Sequence, residues 1–209
     1  MNLEYYYWTF PNALSHKFCD ELKEYGKLHG DKTALIGGHT HGQKISKKEI
    51  KNIQKIRNSN ITWLDDAWIY REIMPYVHEA NKKAKWNFKI DIPEACQFTK
   101  YGPGQYYGWH CDCFNQPFDR PGIPQEHGKI RKLSVTCSLS DPSEYVGGEL
   151  EFNFNNPQRS KKQNIKKCTE ILPKGSIVVF PSFVWHRVCP VQQGIRQSLV
   201  IWNLGYPYK

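Results

Sequence analysis

The chain has 209 residues, 39% apolar and 14% aromatic, which is enough for a packed core and excludes global disorder. No apolar run approaches the roughly 18 residues a membrane helix needs, and ordinary Gly and Pro usage excludes collagen-like and low-complexity chains. The net charge of +9 suits an acidic partner such as nucleic acid or an acidic peptide, although the lysines are scattered over separate stretches as on a solvated surface.

The chain begins MNLEYYYWTF, with no positive segment followed by an apolar one, so no secretion signal is expected. A cytoplasmic setting without membrane attachment follows as the expectation. The cysteines number seven and form no C-x-x-C pair, which argues against a disulfide framework and a zinc ribbon. The run Tyr5-Tyr6-Tyr7-Trp8 reads as an edge strand packing on a sheet rather than a platform for bases.

A helix is predicted over 15–28, with Phe18, Leu22, Tyr25 and Leu28 at helical spacing, Ser15 as its cap and Gly30 at its end. Residues 31–60 are polar and basic. Gly37-Gly38 and His39-Thr40-His41 suggest an irregular loop, and Ile45, Ile50, Ile53 and Ile56 suggest a partly helical stretch after it. The two histidines read as surface residues, since no third metal ligand is in view. A second helix is predicted over 66–83, capped by Asp65 or Asp66, with Trp68, Ile69, Ile73, Val77 and Ala80 on one face. Pro75 is expected to kink or divide it.

From Trp86 onward, short β-rich runs alternate with Gly, Pro, Asn and Asp. Strands are predicted over 86–91, 95–101, 106–112, 131–139, 149–154, 168–172, 176–180, 184–188 and 195–203, with a turn over 190–194. Helices first and strands later give an α+β order, mainly β, and so many short strands suggest a jelly roll whose larger sheet is covered by the early helices. One domain over 1–209 is expected, with 1–85 as helical support and 86–209 as the β core.

Chemistry concentrates in 101–112, YGPGQYYGWHCD. Residues two apart on a strand share a face, so His110 and Asp112 project side by side and can share a metal ion, while Cys111 points away. Cys111 and Cys113 read as packing cysteines. A distant histidine, His186, ends an apolar β-run. After the turn, Arg196 and Ser198 share a face. Two histidines and a carboxylate form the facial triad of non-haem Fe(II) oxygenases. A guanidinium beside a hydroxyl suits a carboxylate ligand.

The joint pattern resembles the prolyl 4-hydroxylase-like branch of the Fe(II)/2-oxoglutarate-dependent dioxygenases. The resemblance covers about 80–205. It rests on Ala80-Asn81 to Trp86 and Phe88, on the Tyr101–Asp112 run, and on Arg131–Leu139 with Gly147-Gly148-Glu149-Leu150. It continues through Lys174-Gly175-Ser176, Phe180-Pro181, His186-x-Val188-x-Pro190-Val191, Gly194-x-Arg196 and Trp202. It implies a double-stranded β-helix, with Fe(II) held by His110, Asp112 and His186. It implies 2-oxoglutarate as cosubstrate, its distal carboxylate on Arg196 with help from Tyr101, Ser198 and Ser134. Ascorbate is the reductant such enzymes use. Tyr107, Trp109, Trp185 and Arg120 are expected on the substrate side. The implied reaction hydroxylates a prolyl or other residue of a peptide or protein and yields succinate and carbon dioxide.

The loop 113–129 follows the His-x-Asp pair and is long enough to read as a lid. Two other reactions of the same chemistry stay in view, on small molecules or free amino acids and on nucleic acid. The demethylases of nucleic acid carry a second arginine six residues after the first. Here Arg196 is followed by QSLVIWNLGYPYK, with no arginine, which disfavours nucleic acid. A non-catalytic jelly-roll binding protein is disfavoured by the intact ligand positions.

Overall fold

The computed structural model describes residues 3–30, 32–34, 46–114 and 116–208. The elements run β1 (Trp8–Phe10), α1 (His16–Leu28), β2 (Lys32–Thr33), α2 (Lys47–Gln54), β3 (Arg57–Asn58), β4 (Asn60–Leu64) and α3 (Ala67–Lys83). They continue with β5 (Ile92–Pro93), β6 (Cys96–Tyr101), β7 (Tyr106–His110), β8 (Ile130–Ser138), β9 (Tyr145–Gly147), β10 (Leu150–Asn153) and β11 (Ile165–Lys167). The last four are β12 (Ile177–Pro181), β13 (Trp185–Val188), β14 (Val191–Gly194) and β15 (Arg196–Gly205).

The larger sheet has the order β1-β12-β8-β15-β6-β4-β2, with β5 beside β15. The smaller sheet has the order β11-β10-β13-β7-β3, and β14 pairs with β9. Every ladder is antiparallel. This is the expected jelly-roll arrangement, with β1 at one edge; of the aromatic run read as an edge strand only Trp8 lies in it, and Tyr5, Tyr6 and Tyr7 precede it.

Strand periodicity divides the larger sheet into two faces. Leu133, Val135, Cys137, Ile177, Val179, Leu199 and Ile201 join one core with the helices. That core takes Phe18, Cys19 and Leu22 from α1 and Ile69, Ile73, Val77 and Ala80 from α3. The alternate residues face the sandwich interior. On β12 these are Val178 and Phe180, in a second apolar core. On β8 and β15 they include Ser134, Thr136, Arg196, Ser198 and Trp202. A polar interior face on two central strands marks the place where function sits.

Ser15 caps α1, accepting from the Phe18 N–H at 3.1 Å. Gly26 lets α1 lie close on β6, since a Cβ there would meet the Phe98 ring at 2.6 Å. Asp66 precedes α3 but makes no side-chain cap; its carboxylate instead accepts from Tyr25 of α1 at 2.9 Å. Pro75 does not divide α3, which runs unbroken over Ala67–Lys83. Ile73 and Val77, fully buried on either side, hold both halves to the sheet.

Other expectations change. No strand forms over 86–91. Lys85 and Asn87 take positive φ, and the Asn81 side chain bonds the backbone of Phe88 at both ends, while Trp86 and Phe88 still bury in the core. Residues Thr169–Ile171 form a 3-10 turn instead of a strand. The expected 190–194 turn contains β14, paired with β9. β4, beside β6, extends the larger sheet from a stretch for which no element was predicted. The His39-Thr40-His41 and Gly37-Gly38 readings lie outside the described residues.

Candidate metal centre and active site

β7 and β13 pair in the smaller sheet, with His186 opposite His110 and Val188 opposite Tyr107. Two residues of β13 thus span three of β7, a bulge at Gly108-Trp109. A bulge re-aims the side chain that follows it. Here it turns His110 inward on the same side as Tyr107, and the two rings stack with centroids 3.4 Å apart. Asp112 follows just past the strand end, where its N–H donates to the Ser182 carbonyl at 2.8 Å.

His110 Nε2 lies 3.6 Å from Asp112 Oδ1, and His186 Nε2 lies 3.6 Å from Asp112 Oδ2. One ligand atom from each of the three falls within 4.8 Å of the others. Each imidazole is oriented from behind. His110 Nδ1 is 2.8 Å from the Gly108 carbonyl and His186 Nδ1 is 3.0 Å from the Val184 carbonyl. A carbonyl only accepts, so both Nδ1 atoms carry the proton and both Nε2 lone pairs face inward. The carboxylate is braced in the same way: Ser134 donates to Asp112 Oδ2 at 2.7 Å, and Ser182 lies 2.9 Å from Ser134.

The electrostatics prepare this site for a cation. Burial, reinforced by His186, lowers His110 to about 3, so its imidazole is neutral at ordinary pH. Burial alone pushes Asp112 up, but His186, His110, Arg131 and the Ser134 hydrogen bond outweigh it and hold the carboxyl at about 2. A neutral His110 and an ionised Asp112 are protonation states that metal binding demands of such ligands. Burial raises Tyr107 to about 12, leaving a neutral phenol against His110.

The pocket around the triad is lined by Arg57, Gln97, Tyr101, Tyr107, Thr136 and Arg196, with Ser198 and Trp202 nearby. Arg196 is 4% exposed and Arg57 5%. Among the described residues neither pairs with a carboxylate. Arg196 reaches only the Ser198 hydroxyl, at 3.3 Å, and its guanidinium stands 5.6 Å from the ring of Tyr101, its cross-strand partner. Arg57 donates to Ser59 at 3.0 Å and Gln97 at 2.6 Å, and lies over the Tyr107 ring. A buried cation without a counter-charge is costly. Two of them beside the triad supply positive charge suited to a small dianion.

The structure brings His110, Asp112, His186, Arg196, Tyr101, Ser198 and Tyr107 together as expected. Ser134 takes a different task. Its hydroxyl braces the Asp112 carboxylate, so it serves the metal centre rather than the carboxylate beside Arg196. Trp109 and Trp185 are half-buried but do not line the pocket. The bulge that turns His110 inward leaves Trp109 on the outer face, against Arg187 at 4.6 Å. Arg120 stands on the 113–129 loop, paired with Glu126 and stacked 4.1 Å over Phe118. That loop is folded on itself. Phe118 N–H donates to the Lys129 carbonyl and Gly128 N–H to the Phe118 carbonyl, both at 2.9 Å. Tyr5, Tyr6 and Tyr7 line a separate open groove with Phe154 and Lys166.

Sequence reasoning missed Arg57, Gln97 and Arg131. Arg57 enters only because β3 pairs with β7, in register with Tyr107. Arg131 forms a two-point pair with Glu94 and lies 3.8 Å over the Trp202 ring. Arg57 and Gln97 stand in no local pattern that announces a site, and Arg131 opens a predicted strand without any sign of a role.

A jelly roll with a two-histidine, one-carboxylate centre and a buried anion pocket defines a class, and similarity supplies the family. A sequence profile of the 2OG-Fe(II) oxygenase superfamily matches residues 96–203. That span is just over half of the chain and holds all three ligands and Arg196, so the chain belongs to this superfamily. A PKHD-type hydroxylase of Klebsiella pneumoniae is 34% identical over 109 residues, covering 50% of this chain and 41% of the relative. One from Xanthomonas axonopodis pv. citri is 31% identical over 141 residues, covering 66% and 57%. The chain thus spans about half the length of these curated relatives. The viral collagen prolyl hydroxylase of Paramecium Bursaria Chlorella virus-1, solved with 2OG, superposes with TM-score 0.63 at 22% identity over 97% of both chains. A Pseudomonas putida prolyl-4-hydroxylase gives 0.64 at 18% identity over 96% and 92%. The fold is theirs. The superfamily's Fe(II) and 2-oxoglutarate fit the donor set and the uncompensated arginines. No helix among the described residues is long and apolar enough to cross a membrane.

Proposed function

We propose that the chain is an Fe(II)- and 2-oxoglutarate-dependent dioxygenase that hydroxylates a prolyl or other residue of a peptide or protein, releasing succinate and carbon dioxide. The observation that carries this reading is the arrangement of the pocket: His110, Asp112 and an adjacent His186 within ligand distance of one another, beside two buried guanidiniums with no carboxylate partner among the described residues. Bound iron with 2-oxoglutarate supplies the oxidising power; the chain supplies binding, orientation and dryness.

His110, Asp112 and His186 would hold the metal, with Nδ1 of each imidazole directed to a backbone carbonyl. Arg196, with Ser198 and Tyr101, receives the distal carboxylate of 2-oxoglutarate. Leu150, Val188 and Val200 wall the pocket with hydrocarbon. On the substrate side stand Tyr107 and Trp202. Trp202 is 5% exposed, and its indole N–H finds no acceptor among the described residues. The 113–129 loop, with Arg120, serves as a lid, anchored through Phe118. The PKHD-type hydroxylases and the prolyl hydroxylases of the same fold support a peptide or protein substrate, and ascorbate is the reductant expected to sustain turnover.

The test is substrate-stimulated succinate release from the full chain with Fe(II), 2-oxoglutarate and ascorbate. Proline-containing peptides are compared with alanine-matched peptides, free proline and methylated oligonucleotides. Stimulation by proline peptides, with gain of the mass of one oxygen atom, is expected. Stimulation by oligonucleotides alone would overturn the peptide reading.

A further inference from the structure

Cys111 and Cys113 flank a metal ligand, and neither the triad nor the pocket uses them. β7 ends at His110 and the chain bends at Asp112. The bend is pinned from one point, since the N–H groups of Asp112 and Cys113 both donate to the Ser182 carbonyl, at 2.8 and 3.1 Å. On a regular strand, residues two apart are separated by about 6–7 Å. Here the bend brings the two sulfurs to 3.4 Å. Cys111 Sγ also sits 3.8 Å from the Cys113 carbonyl oxygen. Both residues are half-buried, whereas Cys19, Cys96, Cys137 and Cys168 are buried.

We propose that Cys111 and Cys113 are a modification site: a peroxide converts them to a reversible disulfide that displaces Asp112 from the metal centre. One thiol sulfur attacks a peroxide oxygen and breaks the O–O bond, giving a sulfenic acid and one water. The second sulfur attacks the sulfenic sulfur. The S–S bond forms, the S–O bond breaks, and the oxygen leaves as a second water with the remaining thiol proton. The peroxide gains two electrons and the two thiols lose them.

The coupling to the metal is geometric. A disulfide bond is about 2.05 Å long, so the sulfurs must draw closer across a single intervening residue. The backbone torsions of Asp112 absorb that movement. Those torsions also place its carboxylate 3.6 Å from both imidazoles. The linkage is reciprocal: a metal holding Asp112 in place opposes closure of the disulfide. Exposed or strained disulfides are the ones that thiol reductants reverse. The effect on metal rests on the reading of His110, Asp112 and His186 as its ligands; the disulfide itself does not.

The experiment uses the metal-free 209-residue chain, treated with hydrogen peroxide and then with a thiol-blocking reagent. Peptide mapping locates any linkage. Mn(II) affinity is measured before treatment, after it, and after dithiothreitol. A Cys111–Cys113 linkage is expected, with Mn(II) affinity falling at least ~10-fold and returning on reduction. Cys189→Ser should behave like the wild type. Cys111→Ser and Cys113→Ser should each bind Mn(II) normally and keep that affinity through peroxide. Recovery of the two cysteines as free thiols or as separate sulfinic acids would overturn the proposal. So would a disulfide with unchanged Mn(II) affinity. Reduced protein that binds no Mn(II) would overturn the metal-centre reading and the coupling with it, while the map still decides the disulfide.

Discussion

Replacing Ser134 with alanine tests how the metal ligand is held. Ser134 is fully buried, and alanine fits its space with one atom fewer. The change deletes the 2.7 Å hydrogen bond to Asp112 Oδ2. A hydrogen bond to an ionised group contributes about 1.5–3 kcal/mol. Part of that is lost from the metal-free protein as well, so only the part that orients the carboxylate toward metal enters the affinity. The lower end, about 1.5 kcal/mol, corresponds to a loss of about tenfold in metal affinity, within the range for groups that support a ligand from behind. Anaerobic Mn(II) titration of the variant and wild type reads this directly, with thermal melting to confirm that both are folded. Unchanged Mn(II) affinity together with an increased requirement for 2-oxoglutarate would refute the bracing role and return Ser134 to the cosubstrate carboxylate.

Arg196→Ala should raise the 2-oxoglutarate requirement by roughly 100-fold or more, as removal of one partner from a buried charge pair does. Mn(II) affinity should stay within about twofold, and loss of metal binding would contradict the assignment. Stability of the metal-free protein should depend on pH through His110, lowered from 6.5 to about 3 by burial and His186. Between those values the unfolded chain takes a proton that the folded one refuses. Stability is therefore full above 6.5 and falls toward pH 3, by on the order of 5 kcal/mol. Asp112, lowered from 3.8 to about 2, adds a further loss as pH falls below 3.8. Denaturant melts from pH 7 to 4 should show the slope, and His110→Gln should flatten it; an equal slope in the variant would remove this cause. Gly26→Ala should destabilise by about 1–3 kcal/mol through overpacking against Phe98; a stability gain would show that the ring moves aside.

The metal centre was legible because its chemistry is local. His110 and Asp112 sit two apart at a strand end, and Arg196 and Ser198 repeat that spacing on one strand. The jelly roll was legible because many short β-rich runs separated by Gly, Pro, Asn and Asp follow the early helices. What sequence could not show depends on register. Arg57 reaches the pocket only through pairing with Tyr107. The β7 bulge decides that His110 faces inward and Trp109 outward, and simple alternation has no means to place it. Ser134 lies on the correct face, yet which carboxylate it meets depends on where β8 stands relative to Asp112. The Trp86–Phe88 stretch looked like a strand because its aromatics are buried, but positive φ at Lys85 and Asn87 removes it from any ladder.

Anaerobic visible absorption tests the central claim most directly. Fe(II) and then 2-oxoglutarate are added to metal-free protein. A charge-transfer band that needs both, and that is lost in Asp112→Ala, is the result predicted for chelation of 2-oxoglutarate at the His110, Asp112 and His186 site. Folded wild-type protein that develops no band, or a band that survives in Asp112→Ala, would contradict it.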